Sequence, residues 1–177
     1  GKILAVGSNE DIQAFTGEST VVSDLSGNFV MPGLIDAHIH VGGFYLSSKL
    51  EGKLLRFPGG ASKEDLQIQL KDYADQNPNL EVVVAENLNS GLFPGGLVPK
   101  AFLDEIVLGR PVVAISDTEH EAYLHSKALE GAGITAKTQN PPNGGLIRDP
   151  KTGEPAGTLK EAAAGRWGYA EFPSASH

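Results

Sequence analysis

Two histidines, His38 and His40, stand two residues apart at the end of a short apolar run that begins at Leu34. In a β-strand, residues two apart point the same way, so His38, His40 and Asp36 share a face with Leu34. Ile35, Ala37 and Ile39 would pack the other side. Two neutral imidazoles held side by side on a rigid strand are half of a site for zinc, iron or nickel. The same spacing also suits a hydrogen-bonded polar patch. The chain contains no cysteine, so any further ligands must be His, Asp or Glu. Downstream, the polar run 117–125 carries His120 and His125, and Lys160 and Glu161 stand at the end of the last strand-like stretch, where alternation would turn only one of the two inward. Asp117, Glu119 and Glu121 read as a solvated loop, and His125 as structural or exposed.

The elements that must position these residues follow from the pattern of the chain. Residues 1–31 read as β, with strands at 2–6, 20–25 and 29–31 separated by tight turns. Pro32-Gly33 makes a turn, and 34–40 a strand. Ser62 caps a helix running to about Gln76, with Asp65 at the capping-box position. Leu66, Leu70, Tyr73 and Ala74 form its apolar stripe, and Asn77-Pro78 ends it. Residues 80–86 and 111–116 are continuous apolar strands of the kind buried on both faces of a parallel sheet. Between them Pro99 starts a helix that Gly109 closes. Ser126 caps a further short helix. Residues 151–154 form a hairpin-like turn before a last strand at 156–161. From Pro32 onward this alternation predicts parallel βαβ units.

With 177 residues, 40% hydrophobic and 20% charged, the chain has the composition of a globular protein with a sizeable core. A net charge of −8 disfavours nucleic acid and anionic membranes as partners, since both require clustered Lys and Arg. No apolar run reaches transmembrane length. The opening Gly1-Lys2-Ile3-Leu4-Ala5-Val6 reads as mid-strand, so a preceding segment is expected. A cytoplasmic location is the expectation, with the periplasm left open.

Four segments together resemble the amidohydrolase superfamily, within it the amidohydrolase-3 group of YtcJ-like metal-dependent hydrolases. They are GKILAVGS (1–8), NFVMPGLIDAHIH (28–40), PKAFLDEIVLGRPVVAISDTEHEAYLHSKALEGAG (99–133) and GGLIRDPKTGEPAGTLKE (144–161). The second is close to the superfamily's PGxIDxHxH strand. The last two match the group's LD…RPV…DGH…NSxALxxAG and GGxIxRDxxTGEPTGxLxE regions. Glu119 stands where the group has Gly, and His125 where it usually has Asn.

The resemblance implies an α/β fold: a (β/α)8 TIM barrel, of which this chain holds about the first four strands, with part of a small β-sandwich. Residues 1–31 would belong to the sandwich and 32–177 to the first half of the barrel. A complete barrel takes about 250 residues, so the chain reads as an N-terminal fragment. The resemblance also implies a divalent metal, usually zinc, at the C-terminal ends of the strands. His38 and His40 match the first-strand ligands, and Glu161 matches the strand-4 carboxylate, where relatives use a carboxylated lysine. Lys160 is the competing assignment there. His120 matches a substrate-side histidine beyond strand 3. Asp36 matches a structural or ligand-orienting aspartate.

The activity implied is hydrolysis of non-peptide C–N bonds in small molecules such as amides, formamides or cyclic amides. The metal would lower the pKa of a bound water to around 7 and polarise the carbonyl. The alternative is a non-catalytic fragment, or a domain that binds a metal or partner without a full active site. An open barrel edge would favour self-association.

Overall fold

The computed structural model describes residues 1–37 and 54–169. The chain forms two compact units, Gly1–Ile39 and His40–His177. In the first, the one regular element among the described residues is helix α1 (Asn9–Gln13). Ser8 caps it: its hydroxyl accepts the Asp11 N–H, and the Asp11 carboxylate accepts the Ser8 N–H. The strands expected at 2–6, 20–25 and 29–31 do not form, and residues 34–37 are not in a strand either. A strand is held by its ladder partners, and none pairs with these segments among the described residues. Their apolar side chains stay in solvent, Ile35 at 97% exposure. The rest of the 34–40 strand, with His38 and His40, lies outside the described residues.

The second unit is built on a six-stranded mixed sheet. Its strands are β1 (Leu55–Arg56), β2 (Val83–Leu88), β3 (Val112–Ser116), β4 (Glu121–Leu124), β5 (Gly144–Arg148) and β6 (Pro155–Glu161), in the order β1-β2-β3-β4-β6-β5. The first three are parallel; the β2–β3 pairing is the one the βαβ pattern predicts, whereas β1 lies in a stretch where the sequence predicts no strand. The others run antiparallel to their neighbours. Residues 117–125 are therefore not simply a polar loop, because β4 occupies most of their second half. The chain reverses between Ser116 and Glu121, a span too short for a parallel crossover, which takes a dozen residues or more. The 149–154 turn imposes the same antiparallel pairing on β5 and β6.

Helix α2 (Lys63–Gln76) begins at the expected capping box of Ser62 and Asp65. It buries Leu66, Leu70 and Ala74 along one stripe. Its last carbonyls have no partner within the helix. The Arg110 guanidinium supplies one, donating to the carbonyls of Ala74, Asn77 and Leu80. Helix α3 (Lys100–Ile106) starts after Pro99 and buries Phe102 and Leu103. Ala101 of the same helix is exposed. Helix α4 (Ser126–Gly131) is capped by His125 rather than by Ser126. A single π-helical turn, Ala164–Tyr169, follows β6.

Strand alternation divides the core. Val83, Ala85, Val112, Ala114 and Tyr123 face α2 and α3. Val113, Ile115, Ala122, Leu124 and Leu159 face α4, Ala164 and Trp167. All five residues of β3 are buried, as expected of a strand covered on both faces. No helix among the described residues is long and apolar enough to cross a membrane.

Candidate functional site

Strands β2, β3 and β6 all end at one edge of the sheet, because β6 is separated from β3 by two antiparallel steps. Glu86, Ser116 and Glu161 lie at or near these ends, and β4 starts there with Glu121. The side chains that could do chemistry gather at this edge.

Its central contact joins residues 41 apart in sequence. His120 Nδ1 lies 3.0 Å from Glu161 Oε2. The backbones are linked too, with the Glu161 N–H donating to the His120 carbonyl at 2.8 Å. The structure thus brings into contact two residues that the sequence singled out separately, His120 and Glu161. Glu161's hydrogen bond and charge raise the His120 pKa above the ordinary imidazole value. Both side chains are roughly half exposed, so solvent weakens the pair and its value is in orientation more than stability. When Nδ1 carries the proton and donates it to Glu161, Nε2 of the neutral ring is an acceptor. The carboxylate retains a second oxygen as a possible ligand.

Glu161 holds this place at a conformational cost. Its φ is +52°, in the left-handed region that non-glycine residues avoid. Glu119, beside His120, has φ +61°. This gives a backbone reason for the glycine that the resemblance puts at position 119. Gly144 lies opposite Glu161 in the β5–β6 ladder. A Cβ there would come within 2.4 Å of the Ala163 nitrogen, so the tight exit from β6 requires glycine at 144.

Lys160 points to the neighbouring strand, its Nζ 3.9 Å from Glu121 Oε1. Of the Lys160–Glu161 pair, it is therefore Glu161 that meets His120. At the other end of the sheet's mouth, Glu86 is paired with Arg56, its register partner on β1. Asp36 lies exposed in the first unit. Among the described residues, no three His, Asp or Glu side chains come together closely enough to hold a metal ion. His120 and Glu161 thus do not by themselves make a zinc site, which takes three or four protein ligands.

His125 has a structural task. It is 4% exposed. Its Nδ1 accepts the Lys127 N–H at 2.9 Å, which puts the ring proton on Nε2, facing the Val107 carbonyl at 3.1 Å and Asp104 at 3.2 Å. Asp104 in turn accepts the Ser126 N–H and hydroxyl. Burial pushes the imidazole below its ordinary pKa, against the opposing charge of Asp104.

Sequence reasoning missed the roles of Ser116, Thr118 and Glu121, which bond to one another around the turn that carries His120. The signal was present in the short span between two apolar runs, which favours a hairpin over an open loop.

Residues 21–175 match the model of the amidohydrolase family. The chain is 32% identical over 163 residues to Protein LONG AFTER FAR-RED 3 of Arabidopsis thaliana, covering 92% of this chain and 27% of that protein. It is 29% identical over 165 residues to the N-substituted formamide deformylase of Arthrobacter pascens, covering 93% of this chain and 30% of that enzyme. The chain thus spans less than a third of the length of these relatives. Among solved structures, a metal-dependent hydrolase from Pyrococcus horikoshii OT3 aligns at 23% identity and a TM-score of 0.44, over 87% of this chain and 26% of that one.

Proposed function

The chain belongs to the amidohydrolase family, and from that membership we infer that the whole protein is a metal-dependent hydrolase of non-peptide C–N bonds. Its substrate class would be small amides, formamides or cyclic amides. The relative from Arthrobacter pascens, named for deformylation of N-substituted formamides, supports this class. The observation that carries the reading is the match of residues 21–175 to the family model, and the His120–Glu161 contact at the strand-end edge supports a site there.

In this reading the 34–40 segment, β2, β3 and β6 would be the first four strands of a (β/α)8 barrel, with residues 1–31 belonging to a small sandwich. A divalent ion, zinc by preference, would take His38 and His40 as ligands with the second oxygen of Glu161. His120 would hold Glu161 in one orientation and meet a polar group of the substrate. For this stretch of chain by itself, β1 and β5 at the edges of the sheet of described residues would support self-association through an open edge.

The test is metal analysis of the complete protein together with a panel of amide and formamide substrates. The expected result is a bound divalent ion, turnover of at least one substrate, and loss of both in His38→Ala and Glu161→Ala. A protein that binds no divalent ion and shows no turnover after zinc, manganese or iron is added would refute the hydrolase reading. It would favour the non-catalytic alternative.

A further inference from the structure

The turn between β3 and β4 is closed by hydrogen bonds that begin and end on one residue. The Glu121 N–H donates to Ser116 Oγ at 3.1 Å. Ser116 Oγ lies 3.0 Å from Thr118 Oγ1. Thr118 Oγ1 donates to Glu121 Oε2 at 3.0 Å. Each hydroxyl has a single proton. Thr118 spends its proton on the carboxylate, so Ser116 must donate to Thr118. The protons therefore all run one way, from the Glu121 amide back to the Glu121 carboxylate. Hydrogen bonds aligned in this way reinforce one another.

The ring is anchored on well-fixed residues. Ser116 is 1% exposed at the end of the fully buried β3. Glu121 is the first residue of β4 and is ladder-paired with Lys160, next to Glu161. The Tyr123 hydroxyl, on a wholly buried side chain, has no hydrogen-bond partner among the described residues. Burial raises its pKa to about 12. Between the anchors lie Glu119, in its left-handed conformation, and His120. The backbone also closes the turn, with the Glu119 N–H donating to the Ser116 carbonyl at 3.2 Å, and the side-chain ring ties this turn to the first residue of β4.

We propose that Ser116 and Thr118 are positioning residues: through the ring on Glu121 they fix the turn so that His120 meets Glu161 by both backbone and side chain. The functional part of this assignment rests on the reading of His120 as a substrate-side group. The geometric part does not, and the two can be tested apart.

The test compares Thr118→Val, which keeps the shape and deletes the hydroxyl, with Thr118→Ser, which restores it, in the complete protein. Amide hydrogen exchange is read at Glu161, whose N–H is bonded to the His120 carbonyl. Losing one net hydrogen bond of the ring should speed exchange at Glu161 and Glu121 about fivefold to tenfold in the valine variant. The amides of β3 should be unchanged, and the serine variant should match wild type. On an amide substrate, kcat/KM should fall by about the same factor in the valine variant and recover with serine, at unchanged bound-metal content. Unaltered exchange at Glu161, equal acceleration throughout β3, or no rescue by serine would each overturn the proposal. A wild type without turnover would overturn the hydrolase reading, while exchange at Glu161 would still decide the positioning role.

Discussion

Replacing Glu119 with glycine should leave the protein more stable than replacing it with alanine, the reverse of the usual order. Both substitutions remove the carboxylate and its interactions, so their difference isolates the backbone. At φ +61° a residue with a Cβ carries a penalty of about 1–2 kcal/mol that glycine does not. Against this, glycine loosens the unfolded chain and costs roughly 0.4–1 kcal/mol relative to alanine. The balance favours glycine by on the order of 0.5–1 kcal/mol. Urea unfolding of the two variants reads this as a higher midpoint for Glu119→Gly at unchanged slope. If alanine gives the higher midpoint, position 119 is not left-handed in solution. The account of the turn, and of why the family pattern has glycine there, would then fail. A changed slope would mean that the two variants differ in how much surface they expose, and the comparison would need hydrogen exchange instead.

Two further outcomes are expected. Gly144→Ala should cost about 1–3 kcal/mol, since the new Cβ meets the Ala163 backbone nitrogen at 2.4 Å and a backbone segment must move; a melting temperature equal to wild type would contradict that close approach. Stability should also depend on pH through His125, whose folded pKa is depressed by burial. The unfolded chain takes up a proton near pH 6.5 that the folded state resists, so stability is full above about 6.5 and is lost as pH falls through the folded value. Urea midpoints between pH 8 and pH 5 should decline in wild type and decline less in His125→Asn; equal slopes would remove His125 as the cause.

What could be read from the sequence follows the range of the forces involved. Helix α2 was legible to its capping box because Ser62, Asp65 and the Leu66–Leu70–Ala74 stripe are local signals. Buried β3 was legible because its apolar run is continuous. Strand β4 was not, because Glu121 opens it and the polar residues before it look like a loop; its pairing comes from the short reversal after Ser116. The cap of α4 was placed one residue late because an imidazole nitrogen can accept an amide proton as a serine oxygen does. For the site, the family pattern brought His120 and Glu161 forward separately, and the structure supplied their contact. The apolar residues of 1–37 read as strands because alternation describes a preference, whereas a ladder needs a second strand.

Strand β4 has a consequence for distances across the mouth of the sheet. Neighbouring strands lie about 4.8 Å apart, so with β4 inserted, the ends of β3 and β6 are separated by roughly 10 Å. That gap is too wide for Ser116 and Glu161 to serve one small group directly. The turn that creates β4 also carries His120, and its imidazole reaches across to Glu161. The inserted strand therefore works as a spacer fitted with its own bridge. Lengthening the turn would leave the spacer in place and remove the bridge.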